Sequence, residues 1–213
     1  VTPTVERQLD DGLSALPLDL PHDARDKLLR YLALLQKWNR TYNLTAIREP
    51  ARLVSHHLLD CLTAIPHIPP GRTVDIGSGG GLPGVPLAIA QPERAVALLD
   101  SNHKKGAFLK QVVIECGLRN AEVHVGRAEE WAPAARFEVG VSRAFADLPG
   151  FVEAARHLVQ KEGLLGAMKG LHPDEELAQL PPGVAVHQTI PLSVPGLKAA
   201  RHLILLRLLG TRT

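Results

Sequence analysis

Val74-Asp75-Ile76-Gly77-Ser78-Gly79-Gly80-Gly81 joins a short apolar run to a glycine-rich turn, and Leu98-Leu99-Asp100 closes a second apolar run nineteen residues after Gly81. Gly77, Gly79 and Gly81 can adopt positive φ and let a ligand come close to the backbone. A carboxylate about 20 residues further on, at the end of the next strand, can accept hydrogen bonds from ribose hydroxyls. The pairing suits a nucleoside, and two kinds of cofactor fit it: dinucleotides and S-adenosylmethionine.

Gly79-Gly80-Gly81-Leu82-Pro83-Gly84 satisfies the dinucleotide pattern G-x-G-x-x-G, a match too common to decide between them. Three features favour S-adenosylmethionine. Asp75 stands two positions before Gly77, and the resulting D-x-G-x-G-x-G run resembles motif I of class I methyltransferases. Pro83 and Pro86 delay the helix that follows, whereas a dinucleotide turn brings an early helix N-terminus to the pyrophosphate. Little more than one hundred residues follow Asp100, which is short for the second, substrate-binding domain of many dehydrogenases.

These residues need a scaffold, and the periodicity supplies one. Residues 1–70 read as a helical N-terminal extension: one helix starts at Pro21-His22-Asp23 and repeats apolar residues at Leu28, Leu29, Leu32, Leu35 and Trp38, and another starts at Pro50 with Leu53, Val54, His57, Leu58 and Cys61. Residues 71–213 read as an α/β domain. Strands are expected at Thr73–Ile76, Ala95–Leu99, Ala121–Val125, Phe137–Ser142 and Gly163–Lys169. Between them lie helices at Pro86–Ala90, Lys104–Cys116 and Pro149–Val159, and a short one near Glu129. Strands alternating with helices imply right-handed crossovers and a mostly parallel, Rossmann-like sheet. Val184–Ile190 and His202–Leu208, joined by a Pro/Gly-rich stretch, are expected to close it as an antiparallel hairpin.

Ligands of open α/β sheets bind beyond the carboxyl ends of the strands. Asp75 to Leu82 follow the first strand, Asp100 the second, Ala128 and Glu129 the third, Arg143 the fourth, and Lys169 lies at the end of the fifth. Asp100 is the ribose acceptor or the cap of the next helix. Ala128 and Glu129 are placed to meet an adenine edge, although Glu129 also suits the N-terminus of its short helix. Arg143 suits a methionine carboxylate, a substrate phosphate or a structural ion pair. The adjacent His56 and His57 do not share a helix face and so read as hydrogen-bonding or core residues rather than metal ligands.

Charge distribution suits either a polyanionic partner or a solvated helix face with a basic tail. The net charge is only +2, yet Lys27, Arg30, Lys37, Arg40, Arg48 and Arg52 face a single acid, Glu49, and four basic residues with no acid follow Glu176. No stretch approaches the 18 or more apolar residues of a membrane span and no leader is evident, so the expected location is cytoplasmic. Cys61 and Cys116 form no metal-spaced cluster and read as buried thiols in a reducing compartment. No Pro-Cys nucleophile motif and no Asn/Asp-Pro-Pro-Tyr/Phe run is present, which argues against attack through pyrimidine C5 and against the commonest adenine-amine methylation. An acceptor with a free lone pair, such as guanine N7, needs no general base, only alignment at roughly 3–3.5 Å and exclusion of water.

Trp38 through Arg48, His57-Leu58-Leu59-Asp60, Gly77 through Pro86, Leu98-Leu99-Asp100-Ser101, Ser142 through Ala146 and Lys169-Gly170 together resemble the bacterial RsmG (GidB) family across essentially the whole chain. The resemblance implies a class I S-adenosylmethionine-dependent enzyme that methylates N7 of a guanine in the decoding-region loop of 16S rRNA and releases S-adenosylhomocysteine. It implies that Gly77, Leu82, Ala128, Glu129 and Arg143 line the cofactor pocket, with Asp100 at the ribose, and 16S rRNA or the small ribosomal subunit as partner; direct in-line transfer needs no metal, and nothing in the sequence demands more than a monomer. Lys37, Arg40, Arg48, Lys104, Lys105 and Lys169 are the candidates for RNA contact, and Arg143 the candidate for a role at the reacting groups. A non-catalytic S-adenosylmethionine-binding assembly module and a small-molecule methyltransferase are the alternatives.

Overall fold

The computed structural model describes residues 2–209, so Arg212, the last of the four basic residues after Glu176, lies outside the described residues. Two helices come first, α1 (Pro3–Ser14) and α2 (Ala24–Tyr42). Leu28, Tyr31, Leu32 and Leu35 recur on one face of α2 and are fully buried, and Asn43 ends the helix in the left-handed region at φ 50°. From Pro50 a helical segment runs through α3 (Pro50–Leu53), a π-helical stretch at Val54–Leu59, α4 (Asp60–Ala64) and a 3-10 turn at Ile65–His67. The widened π turn carries His56 and His57; apolar spacing alone gives no signal for it.

The rest alternates. β1 (Thr73–Ile76), α5 (Gly84–Ala90), β2 (Val96–Asp100), α6 (His103–Glu115), β3 (Ala121–Val125), β4 (Phe137–Arg143), α7 (Leu148–Ala155) and β5 (Val159–Lys169) lead to α8 (Asp174–Ala178), β6 (Val184–Pro191) and β7 (His202–Leu208). The sheet order is β3-β2-β1-β4-β5-β7-β6. Pairs among the first five strands are parallel, and β7 runs antiparallel between β5 and β6. The expected mostly parallel sheet with an antiparallel closing hairpin is therefore present. The expected helix at Pro149–Val159 is shorter, because the ladder captures its end: Phe137 N–H donates to Leu158 O and Phe137 pairs with Val159. α8 has no apolar periodicity to announce it.

Two apolar layers flank the sheet, sorted by the two-residue alternation of the strands. Val74, Ile76, Ala97 and Leu99 face Leu148, Phe151, Val152 and Ala155 of α7. Val96, Leu98, Val139 and Val141 face the other way, into a cluster shared by α5, α6, α2, α1 and the helical segment after Pro50. The first helices thus complete one face of the sheet. Cys61 and Cys116 are both free and buried. No helix among the described residues is long and apolar enough to cross a membrane.

Because Leu32 lies in a core shared with the sheet, Leu32→Ala is expected to cost about 2–5 kcal/mol and to lower one common transition. Denaturation of variants retaining only Trp38, in α2, or only Trp131, beside β4, checks this. Separate midpoints for the two reporters would show that the helices unfold on their own.

Candidate functional site

The glycine turn after β1 is pinned from three sides. Gly77 and Ser78 N–H both donate to Leu99 O at 2.9 Å, which ties the turn to β2. Asp100 accepts from Gly79 N–H through Oδ2 and from Asn102 N–H through Oδ1, each at 2.8 Å. The cap of α6 is Asn102, whose Oδ1 accepts from the Lys104 and Lys105 N–H groups, so the capping role considered for Asp100 belongs to its neighbour. The buried Tyr31 hydroxyl of α2 donates to Gly80 O at 2.5 Å. Below the turn, Asp75 Oδ2 accepts from Gly84 N–H at 2.9 Å. Glycine is required at 84 because a Cβ there would stand 2.6 Å from that same carboxylate oxygen.

Above the turn opens a cleft of about 360 Å³, of the size that takes small cofactors. Gly77, Asp100, Ala128 and Glu129 line it together, with Lys105 and Phe145. At Gly77 the backbone has φ +72° and an added Cβ would meet nothing within 4 Å, so the main chain itself faces open space. Asp100, although 6% exposed, keeps lone pairs free beyond its two backbone bonds. Glu129 is exposed, and its nearest cation is Arg127 Nε at 3.7 Å.

Other residues expected around the ligand do not line this cleft. Leu82 is 5% exposed and its side chain packs in the core, drawn there by the apolar layer under the turn. Gly79 and Gly81 shape the turn without lining the cleft, and Asp75 lies beneath it. Burial pushes the Asp75 carboxyl up to about 7, against the opposing pull of the Gly84 N–H bond, and Oδ1 has no hydrogen-bond partner.

Arg143 lines a second cleft of about 290 Å³, next to Asp60, Lys169, Arg201 and His202. The chain turns sharply between the two clefts: Ala144, at φ 63°, sends Arg143 to one side and Phe145 to the other. Arg143 donates through Nη1 to His56 O at 2.9 Å and to Asp60 Oδ2 at 3.2 Å, and its Nη2 lies 3.0 Å from His57 Nδ1. Arg201 Nε stands 3.1 Å from Asp60 Oδ1 as an ion pair without hydrogen-bond alignment. Burial raises the Asp60 carboxyl while both guanidiniums oppose it. Burial and the Arg143 charge depress the His57 imidazole to about 4, so it is neutral at physiological pH, and its Nε2 lies 2.8 Å from Thr45 Oγ1. The sequence pattern offered the ion-pair role for Arg143; His57, Asp60, Thr45 and Arg201 were not assigned to a site, because they sit far apart in the chain and on helix or loop rather than on strand ends.

The basic candidates separate by what already holds them. Lys37, Arg40 and Lys104 are exposed. Arg48 donates to Asn39 O at 3.0 Å and to Asn43 Oδ1 at 2.5 Å, fastening the end of α2. Lys105 Nζ lies 4.0 Å from Asp100 Oδ2 on the cleft wall. Lys169 is 12% exposed and paired with Glu176 at 2.8 Å, a partner that its position at the end of β5 did not foretell.

Residues 24–204 match the model of the GidB family, described as rRNA small subunit methyltransferase G. The chain is 54% identical over 198 residues to the ribosomal RNA small subunit methyltransferase G of Chromobacterium violaceum, covering 92% of this chain and 95% of that one. It is 51% identical over 204 residues to the protein of the same name from Laribacter hongkongensis, covering 96% and 99%. Among solved structures, it shares the fold of the O-methyltransferase TomG from Streptomyces achromogenes, determined with S-adenosylmethionine, with a TM-score of 0.58 and 18% identity over 98% of this chain and 100% of that one.

Asp75 provides a check independent of any relative. Its folded pKa is raised, so the proton is held more tightly in the native state, and its stabilising contribution is complete below about pH 4 and lost as pH rises through about 7. Parent stability minus that of Asp75→Asn is expected to fall with pH across this window by about 1.4 kcal/mol per unit. Urea unfolding at pH 5, 6, 7 and 8 measures it, and a flat difference would mean that Asp75 is ionised throughout.

Proposed function

The chain belongs to the GidB family of rRNA small subunit methyltransferase G proteins, and on that premise we propose that it transfers a methyl group from S-adenosylmethionine to N7 of a guanine in 16S rRNA. The observation that carries the reading is the pair of clefts on either side of Ala144, one walled by Asp100 and the other by Arg143 and Arg201. The first suits a nucleoside cofactor: its backbone is bare at Gly77, and Asp100 has unused acceptor capacity. In this reading Asp100 accepts from the ribose hydroxyls and Ala128 and Glu129 flank the adenine. Gly77 gives the ligand its approach, while Asp75, Gly79, Gly81 and Leu82 act through the shape of the turn.

The second cleft receives the target guanine and its phosphates. S-adenosylmethionine supplies a methyl group activated on a sulfonium. Formation of the N7–carbon bond would break the sulfur–carbon bond and return its electron pair to sulfur, so the positive charge would pass to the purine. N7 already presents its lone pair, so neither a base nor a metal is required, and the protein's part is alignment and exclusion of water. Asp60 is the carboxylate nearest this cleft that can face the cationic purine, and Arg143 holds it in place while keeping one edge for a phosphate. Lys37, Arg40, Lys104 and Lys105 bind the RNA backbone around the clefts, with smaller contributions from Arg48 and Lys169, which are already paired. Residues 1–70 form the helical extension and 71–213 the methyltransferase domain of a cytoplasmic monomer acting on the small ribosomal subunit or its rRNA.

The test is transfer of labelled methyl from S-adenosylmethionine to small subunits from cells lacking this gene, with naked 16S rRNA and modified subunits as controls. Label mapped to a single guanine N7 in unmodified substrate is the expected result. Cofactor binding without transfer to either form would favour a non-catalytic module. Asp100→Ala should weaken cofactor binding by about tenfold or more while leaving RNA affinity within about twofold, since a hydrogen bond to a charged group contributes ~1.5–3 kcal/mol; unchanged cofactor affinity would remove Asp100 from the ribose.

A further inference from the structure

We propose that Tyr42 is a stacking platform for an unpaired base of the RNA substrate, flanked by cations that hold the neighbouring phosphates; this rests on the RNA-methyltransferase reading above. Tyr42 is the last residue of α2 and, at 41%, the most exposed Phe, Trp or Tyr among the described residues. The ring is not loose. Trp38, one helical turn back, packs against it with centroids 5.3 Å apart, and Trp38 in turn packs on the buried Phe108 of α6 at 5.6 Å. This three-ring ladder runs from the core to the surface and ends in a ring whose outer side has no protein aromatic partner. An anchored ring of this kind gives up little entropy when a base lands on it.

Its surroundings favour RNA. Lys104 Nζ sits over the Tyr42 ring, 5.9 Å from its centroid, and the next residue, Lys105, lines the cleft beside Asp100. Lys37 and Arg40 are exposed on the same end of α2. No Asp or Glu occurs from Lys27 to Arg48 or from Ser101 to Ile114, so neither helix brings a negative charge to the patch. The loop leaving Tyr42 reaches Thr45, whose hydroxyl contacts His57 beside Arg143, so a run of contacts joins the platform's loop to the second cleft. Exposed aromatic rings set among cations are how proteins hold single-stranded RNA, because every base has a face to stack and every nucleotide a phosphate to pair. A base held here would fix the register of the strand whose guanine enters the second cleft.

The experiment compares Tyr42→Ala, Tyr42→Leu, Tyr42→Phe and Lys104→Ala with the parent, each with S-adenosylmethionine bound, on naked 16S rRNA over a salt series. Tyr42→Ala and Tyr42→Leu are expected to bind about 5- to 150-fold more weakly, which is ~1–3 kcal/mol at 1.4 kcal/mol per tenfold. Tyr42→Phe should stay within about twofold of the parent, and the salt dependence of all three should match it. Lys104→Ala should instead reduce the salt slope by about 1. Cofactor affinity, measured alongside, should be unchanged in every variant and shows that each is folded. Parent-like RNA affinity in Tyr42→Ala, a loss in Tyr42→Phe equal to that in Tyr42→Ala, or full affinity in Tyr42→Leu would each overturn the platform. Failure of the parent itself to bind or methylate both naked 16S rRNA and unmodified small subunits would remove the RNA reading, and the platform with it.

Discussion

The structure depends on holding a stretch of bare backbone open. A turn built of glycines has no side chains to pack, and free of restraint it would collapse or sample many conformations. It is fixed by groups that reach it from elsewhere: Asp100 from the end of β2, Asp75 from beneath, and Tyr31 from a helix forty-nine residues earlier in the chain than Gly80. Each bond satisfies a backbone group that a ligand would otherwise find misaligned. The restraint also explains why a carboxylate is tolerated at the fully buried position 75, where an ionised group is costly and only one oxygen is satisfied.

Tyr31 gives the helical extension a function beyond covering apolar surface. α2 buries Leu28, Leu32 and Leu35 against the layer that also receives α5 and α6, and the same face delivers the phenol to Gly80. At its far end α2 stops in a left-handed Asn43, and Arg48 folds back to the open Asn39 carbonyl and the Asn43 side chain. The loop so formed carries Thr45 to His57, and through His57 to Arg143. Helix packing, turn geometry and the charged cluster are thus joined by one run of contacts from the N-terminal helices to the end of β4.

That cluster sets a charge pattern. One buried carboxylate, Asp60, stands between two guanidiniums, and a neutral imidazole fills the remaining space. A lone buried carboxylate would be expensive, and the two arginines compensate it while leaving net positive charge at the cleft. The π-helical stretch at Val54–Leu59 presents the His56 carbonyl to Arg143, so an irregular helix positions the guanidinium. Across the Ala144 turn the other cleft is governed by the acid at 100, and the two electrostatic environments lie side by side on neighbouring strand ends.

Local sequence determined what local physics controls. Alternating apolar runs marked the strands, three- and four-residue spacing marked α2, and glycines followed by an acid at a set distance marked the turn and Asp100, because each of these signals is written within about twenty residues. The closing hairpin and the parallel core were legible for the same reason. Tertiary structure decided which side chains meet. Leu82 turned into the core because the layer beneath it is apolar, Arg143 turned away from the first cleft because Asp60 and the His56 carbonyl draw it, and Lys169 found Glu176. These partners are separated by up to eighty-seven residues, and no periodicity encodes such a meeting: charges and carbonyls brought together by the packing of helices on a sheet choose one another only once the sheet exists.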